Sequence, residues 1–380
     1  MILGKKERLD LIKKIQEKRE SKLITYVLSD RPGFSVHIGS DTPRIFYEHL
    51  DNDNGEKIPR IDLFLYSAGG DTSAPWRIIS LLREFADEVN VLIPYRAYSA
   101  ATLISMGTDN ILMGKKGELG PIDPTVNSEF NPVDPTISNK KMSINVEDIT
   151  SYFELIKKAG IKEQAELGKS FTELTNAVNP VALGYVNRHY SFIRMVATKL
   201  LESHNKPCSS EQIEGLVKEL IEKIYFHGHG ISRSEAKKIG LNIIHPDKET
   251  ESLMWQLFLD YEEDLALNNP LIAEDFLDER GVDNHILRAV SGGYIESDRF
   301  SHIFHGDVKM NAVRATPQQL NVNVNFQLPA GNNPGQLNEQ QLQELQQQIH
   351  QMVLQEINSQ SPIAGYNSHL TKLNWHKRKW

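Results

Sequence analysis

Pro94-Tyr-Arg-Ala-Tyr-Ser99-Ala-Ala-Thr-Leu-Ile-Ser-Met-Gly107, read together with the earlier Tyr66-Ser-Ala-Gly69-Gly70-Asp71, decides how this chain folds. The apolar run Ile61 to Tyr66 reads as a buried strand that ends in two glycines. A second apolar run, Val89 to Pro94, reads as a strand that ends in small residues and a hydroxyl. Paired glycines let backbone N–H groups face outward with no Cβ in the way. A serine between a strand end and a helix start is well placed for a nucleophile, because N–H groups there favour developing negative charge. Alone, Ser99 would be an ordinary small residue at a tight junction. Beside Gly69-Gly70 it reads as a nucleophile next to an oxyanion hole, the parts needed for acyl transfer. The glycines lack the G-x-G-x-x-G spacing of a dinucleotide fingerprint.

Working outward, strands and helices alternate at short intervals. Leu23–Leu28 reads as a strand, Ser40-Asp-Thr-Pro opens a helix through Tyr47 and Leu50 with Asp41 or Thr42 as cap candidate, and 74–85 reads as a helix between the two central strands. Asn110–Met113 is a further short strand. This alternation predicts an α/β layer with parallel strands. Residues 125–145, rich in Pro, Asn, Ser and Thr, read as an extended loop, and helices are expected over 147–159, 164–177, 180–202 and 210–225. The expected division is an amphipathic helix at 1–20, a main domain at 21–248 with an insertion about 125–178, an α+β extension at 249–330, and a Gln-rich helical tail with a basic terminus at 331–380. Within that extension, Val322, Val324, Phe326 and Leu328 alternate as a half-buried strand, and in the tail beyond it a second pattern follows. Leu342, Leu345, Ile349 and Met352 give an apolar stripe too short for a coiled coil. Trp375-His-Lys-Arg-Lys-Trp380 reads as a frayed, solvated terminus.

Composition narrows the function. The 380 residues carry a net charge of −8, 39% hydrophobic residues and a mean hydropathy of −0.41. No apolar run is long enough to span a bilayer, and the opening residues lack the apolar core of a secretory signal. The single cysteine, Cys208, excludes an intramolecular disulfide and suits a reducing compartment. A soluble cytoplasmic protein is expected, with no membrane partner and no global electrostatic reason to bind nucleic acid. No Walker motif is present.

Four motifs in order resemble a known family: Tyr-Ser-Ala-Gly-Gly-Asp, Ala-Tyr-Ser-Ala-Ala-Thr, Gly117-Glu-Leu-Gly-Pro-Ile-Asp-Pro124 and Gly230-Ile-Ser-Arg-Ser-Glu-Ala-Lys-Lys-Ile-Gly-Leu-Asn242. Over roughly residues 20–245 the chain resembles the Clp-fold (crotonase-like) serine proteases, and most of all the serine dehydrogenase proteinases, relatives of SppA and ClpP. The resemblance implies a ClpP/crotonase-like ββα spiral core, here with a C-terminal α+β elaboration, that assembles into a homo-oligomeric ring or stack. It implies a serine endopeptidase acting on peptides or unfolded protein. Ser99 falls on the nucleophile, and the N–H groups of Ala100 and of Gly70, with Gly69 beside it, fall on the oxyanion donors. One such donor is worth about 3 kcal/mol of barrier. No cofactor or metal is expected; His227-Gly-His229 alone is an incomplete metal site.

The general base departs from the ClpP pattern, since no histidine lies between Ser99 and His189. A lysine, as in SppA-like relatives, is one solution; Lys140, Lys141, Lys157, Lys158, Lys162 and Lys169 are in range, with Lys169 favoured by position. His227 or His229, in the segment that holds the acidic member in ClpP, is the other. Asp71 and Asp123 read as turn residues. Two rival readings stand beside the peptidase: a non-catalytic Clp-fold scaffold or sensor, and a crotonase-type acyl-CoA enzyme. The C-terminal extension is a candidate surface for a protein partner.

Overall fold

A computed structural model describes residues 5–51, 55–122, 125–126, 128–134, 141–222, 229–315, 343–344, 347–349, 351–353, 356–357 and 361–380. The chain forms two compact units: Met1–Asn269 with Ser291–His305 and Asn374–Trp380, and Pro270–Val290 with Gly306–Leu373. The expected strand at 322–328 lies outside the described residues, and the Gln-rich segment is described only in short helical pieces between 343 and 357.

The first unit begins α1 (Lys6–Arg19), β1 (Lys22–Leu28), β2 (Asp30–Arg31), β3 (Phe34–Ser35), α2 (Thr42–Leu50), β4 (Ile58–Tyr66), α3 (Ala74–Phe85) and β5 (Ala86–Ile93). It continues with β6 (Arg96–Ala97), α4 (Ala100–Met106), β7 (Asn110–Met113), β8 (Glu118–Leu119), β9 (Thr125–Val126) and β10 (Ile144–Asn145). Then come α5 (Val146–Lys158), α6 (Gln164–Ala177), α7 (Pro180–Glu202), α8 (Ser210–Glu222), β11 (Ile231–Ser232), α9 (Arg233–Ile239), β12 (Ile243–Ile244) and α10 (Lys248–Asp264). The second unit holds α11 (Ala273–Asp278); β13 (Asn284–Glu296), β14 (Ser301–Arg314) and β15 (Ile363–Arg378) each have residues in both units. Within the second unit, Arg314 forks onto Asp283 at 2.6 and 2.7 Å and Tyr366 Oη donates to Asp278 at 2.5 Å.

The main sheet runs β12-β7-β5-β4-β1-β13-β14-β15. Its first five strands are parallel, and β13 is antiparallel to β1. Parallel strands are covered on both faces, which is why Ile61–Tyr66 and Val89–Ile93 are continuous buried runs and not alternating ones. One face takes α1 and α10, whose Ile12, Ile15, Leu257, Phe258 and Tyr261 share a core with Val27, Phe64 and Leu92. The polar exceptions are paired. Asp62, fully buried in β4, accepts from Arg19 Nε at 2.8 Å, Ser21 Oγ at 2.9 Å and Asn90 Nδ2 at 3.0 Å. Arg8 lies between the rings of Tyr261 and Tyr294, 4.3 and 4.5 Å from their centroids, and pairs with Asp260, Asp264 and Glu296.

A second, three-stranded sheet, β11-β8-β6, stands where the main strands end. All seven residues of α4 are buried.

Three expectations need correction. Asp41 flanks α2 without a side-chain capping bond, and the Thr42 hydroxyl donates back to Gly39 O at 2.9 Å. Residues 125–145 are not a featureless loop: β9 pairs with β10, Val133 bridges Lys141, and Asn131 Nδ2 donates to Met142 O at 2.9 Å. That asparagine supplies a cross-strand bond that composition does not announce. Third, residues 374–380 are not frayed; β15 runs through Arg378, and Trp380 packs against the core of the first unit.

Candidate active site

The turn from β6 into α4 puts Ser99 at φ 53°, ψ −114°, a left-handed backbone that a side-chain-bearing residue rarely adopts. Such a conformation costs of order 1–3 kcal/mol and persists only where its surroundings over-determine it. Here they do. Ala101 N donates to Tyr98 O at 2.9 Å and Leu103 N to Ser99 O at 3.1 Å. Thr102 Oγ1, buried, reaches the carbonyls of Ala97 and Gly120, each at 2.8 Å. A sharp strand-to-helix turn of this kind exposes a serine hydroxyl, as in nucleophile elbows generally.

The double-glycine turn lies against it. Gly69 has φ 109°, and a Cβ there would stand 2.7 Å from Ser99 Cβ and 3.2 Å from Ser99 Oγ. Gly70 has φ 152°, and a Cβ there would meet Ile38 N and O at 2.4 Å. The bonding leaves one donor over: Ser67 Oγ takes the Gly69 N–H at 3.0 Å, while Ile38 donates to Gly69 O and accepts from Asp71 N, both at 2.8 Å. Among the described residues, the N–H groups of Gly70 and Ala100 donate to nothing. Gly69→Ala should therefore push the serine off its position. We expect a lower melting temperature for this variant than for the wild-type chain, read in a thermal melt.

The structure brings Ser99, Ala100, Gly69 and Gly70 together. It does not join a base to them: among the described residues no nitrogen is bonded to Ser99 Oγ. Lys169 stands on α6, which buries no residue; its side chain is 73% exposed and bonds Glu166 at 2.8 Å. Lys141, Lys157, Lys158 and Lys162 are exposed as well. Lys140, Asp123 and His227 lie outside the described residues. His229 Nε2 is bonded to Glu235 Oε1 at 2.8 Å, a pairing of imidazole with carboxylate. Its segment leads into β11, which pairs with β8, which in turn pairs with the strand before Ser99. Asp71 accepts from Ser73 N at 2.8 Å, as a turn residue does.

Sequence reasoning passed over two groups near the turn. Half-buried His189 on α7 is lowered from its ordinary value by burial, while the charge of Asp71, next to Gly70, acts in the opposite direction. Only helical register through α7 could have signalled it. The Tyr98 hydroxyl is pushed up to about 12, first by burial and then by Glu118 beside it. No described helix is long and apolar enough to cross a membrane.

Residues 2–174 match the model of a family described as ClpP-like SDH-type serine proteinase. Two uncharacterized proteins of Methanocaldococcus jannaschii are similar to this chain. One is 29% identical over 129 residues, covering 31% of this chain and 42% of its own length. The other is 26% identical over 170 residues, covering 42% of this chain and 56% of its own length. The chain thus spans about half the length of these curated relatives. Two solved structures of variants of the 1510-N membrane-bound stomatin-specific protease, one with a substrate peptide, are 17% and 18% identical, each with a TM-score of 0.33. They cover 60% of this chain and 78% and 83% of their own chains.

Proposed function

We propose, from the membership of residues 2–174 in the ClpP-like SDH-type serine proteinases, that this chain is a serine endopeptidase with Ser99 as its nucleophile. The carrying observation is the strained backbone of Ser99 with the side-chain-free face of Gly69 against it. In this reading Ser99 Oγ attacks a peptide carbonyl and passes its proton to the base. The N–H groups of Gly70 and Ala100 receive the oxyanion. The base returns the proton to the departing amine, and water then hydrolyses the acyl-enzyme.

His229 is the base we favour. An imidazole needs no burial to accept a proton, and Glu235 already holds one of its nitrogens, as the third member of a triad would. Lys169 lacks the burial that a lysine base requires. The substrate is an extended peptide or unfolded segment, laid down beside the strand ends, and the working form is a cytoplasmic homo-oligomer.

A fluorophosphonate probe and a peptide-cleavage assay test this. The full chain should label at Ser99. His229→Ala should lower kcat/KM at least about a thousandfold, and Lys169→Ala should leave it within twofold. Loss in Lys169→Ala with His229→Ala unaffected would move the base to the lysine; loss in His189→Ala alone would move it to α7. No label and no cleavage would favour the scaffold reading.

A further inference from the structure

One carboxylate oxygen in the first unit has two suitors. Glu48 Oε2, on α2, is 2.8 Å from Lys377 Nζ and 3.6 Å from His302 Nε2. Lys377 belongs to the 374–380 segment, which carries the last residues of β15, beside β14 in the main sheet, and is fastened at three further points. Trp380 Nε1 donates to Ser297 O at 2.8 Å, and the Lys377 ammonium lies 3.9 Å from the centre of the Phe300 ring. Trp375 packs edge-on against Phe304 at 5.2 Å.

Beneath the segment is a buried relay. His302 Nδ1 meets His49 Nε2 at 3.0 Å, and His49 Nδ1 meets Ser297 Oγ at 2.9 Å. His49 is fully buried and His302 is 4% exposed. With two imidazoles sharing one hydrogen bond, a proton taken up by either repels charge on the other.

We propose that residues 374–380 form an acid-released clasp, in which a proton on His302 takes Glu48 away from Lys377 and lets the segment lift from the body of the first unit. The charged groups facing the relay agree with this direction. From α2 comes Glu48, with Arg44 beside it, from β1 Lys22, from the β13–β14 turn Arg299 and Asp298, which acts on Lys22, and from the segment Lys377; Glu48 is the carboxylate that acts on His302 itself. Burial first, then His302 and the cations Lys22, Lys377 and Arg299, push His49 down to about 2. His302 is lowered by burial, raised by Glu48 and lowered again by Lys377.

The sign follows from linkage. In the closed form burial and Lys377 hold His302 below its ordinary value, and His49 is pushed lower still. In the open form His302 recovers water and sole use of Glu48, and it titrates at or above the ordinary value of about 6.5. The open form binds the extra proton, so falling pH favours it. One proton gained in this way raises the open population about thirtyfold between pH 7.5 and pH 5.

Hydrogen exchange of the full chain, corrected for intrinsic rates, reads this segment by segment. Protection of 374–380 should drop about thirtyfold from pH 7.5 to pH 5, while residues 58–66 of β4 keep theirs. His302→Gln should keep the segment protected at pH 5. Glu48→Gln, which removes the contested carboxylate, should leave it weakly protected at both pH values, with under a threefold difference. Unchanged protection in the wild-type chain would overturn the proposal. So would loss in step with β4, or a His302→Gln chain that still opens with acid. If His302→Gln loses β4 protection itself, the Glu48→Gln result decides: a thirtyfold pH response surviving in it would overturn the proposal.

Discussion

Ser99→Ala is expected to abolish fluorophosphonate labelling and to cut kcat for peptide hydrolysis by at least about a thousandfold, with little change in KM. On the proposed reading the hydroxyl makes the bond that splits the reaction into two steps, and without it only the oxyanion donors act. The fold should survive, because Ser99 Oγ is bonded to no described residue and the turn is held by Thr102 and by backbone bonds. A companion change separates chemistry from strain. Ser99→Gly removes the same hydroxyl and also the Cβ that makes φ 53° costly, so it should be inactive yet more stable than Ser99→Ala by about 1 kcal/mol. Denaturant melts of the two variants, with their rates, check both halves. A Ser99→Ala chain that still cleaves peptide would remove the nucleophile assignment.

Arg8→Ala is the substitution expected to harm stability most, by about 3–5 kcal/mol. The guanidinium is 1% exposed and faces Asp260, Asp264 and Glu296 while its two faces cover tyrosine rings. Its removal leaves Glu296 buried beside Tyr261 Oη and Ser301 Oγ, at 2.5 and 2.6 Å, with no cation to balance it. Burial raises Glu296 above the usual carboxylate range, and Arg8 is the group that opposes that rise. Asp264 shows a related dependence: burial raises it, but Arg8, and after it Tyr294 and Lys5, hold it below its ordinary value. Arg8→Met with Glu296→Gln should lose less than the sum of the two single changes, since the stranded charge goes with its partner. Urea unfolding of the four chains measures the coupling.

Most of the central layer was legible. The helices at 74–85, 164–177 and 180–202 occupy the expected residues, because each couples a clear apolar period or a first-turn proline to a breaker. The strands 61–66 and 89–93 were readable as fully buried runs, with only their starts, Ile58–Arg60 and Ala86–Glu88, unseen, where exposed Pro59 and Asp87 interrupt the run. Arg8 was not readable as a core residue. Among the lysines and glutamates of α1 it looks solvated, and its carboxylate partners lie more than two hundred residues away. The clasp was read the wrong way for a related reason. A basic aromatic ending predicts a loose terminus, and Glu48, Ser297 and Phe300, which hold it, come from distant elements.

At the candidate site, order along the chain suggested Ser99, Ala100, Gly69 and Gly70 as neighbours, and the structure sets Gly69 against Ser99. Each sits within a few residues of a strand end, and local chemistry demands glycine or a small residue there. The tertiary structure alone decided the rest: the strained φ of Ser99, Gly69 set against its Cβ, the His229–Glu235 pairing and the exposure of Lys169. The need for glycine or a small residue at a turn follows from short-range sterics, which sequence carries, whereas the strained φ of Ser99 persists only through the bonds around it. Whether a lysine is buried, or which carboxylate holds a histidine, depends on segments brought together only when the sheet and its covering helices close.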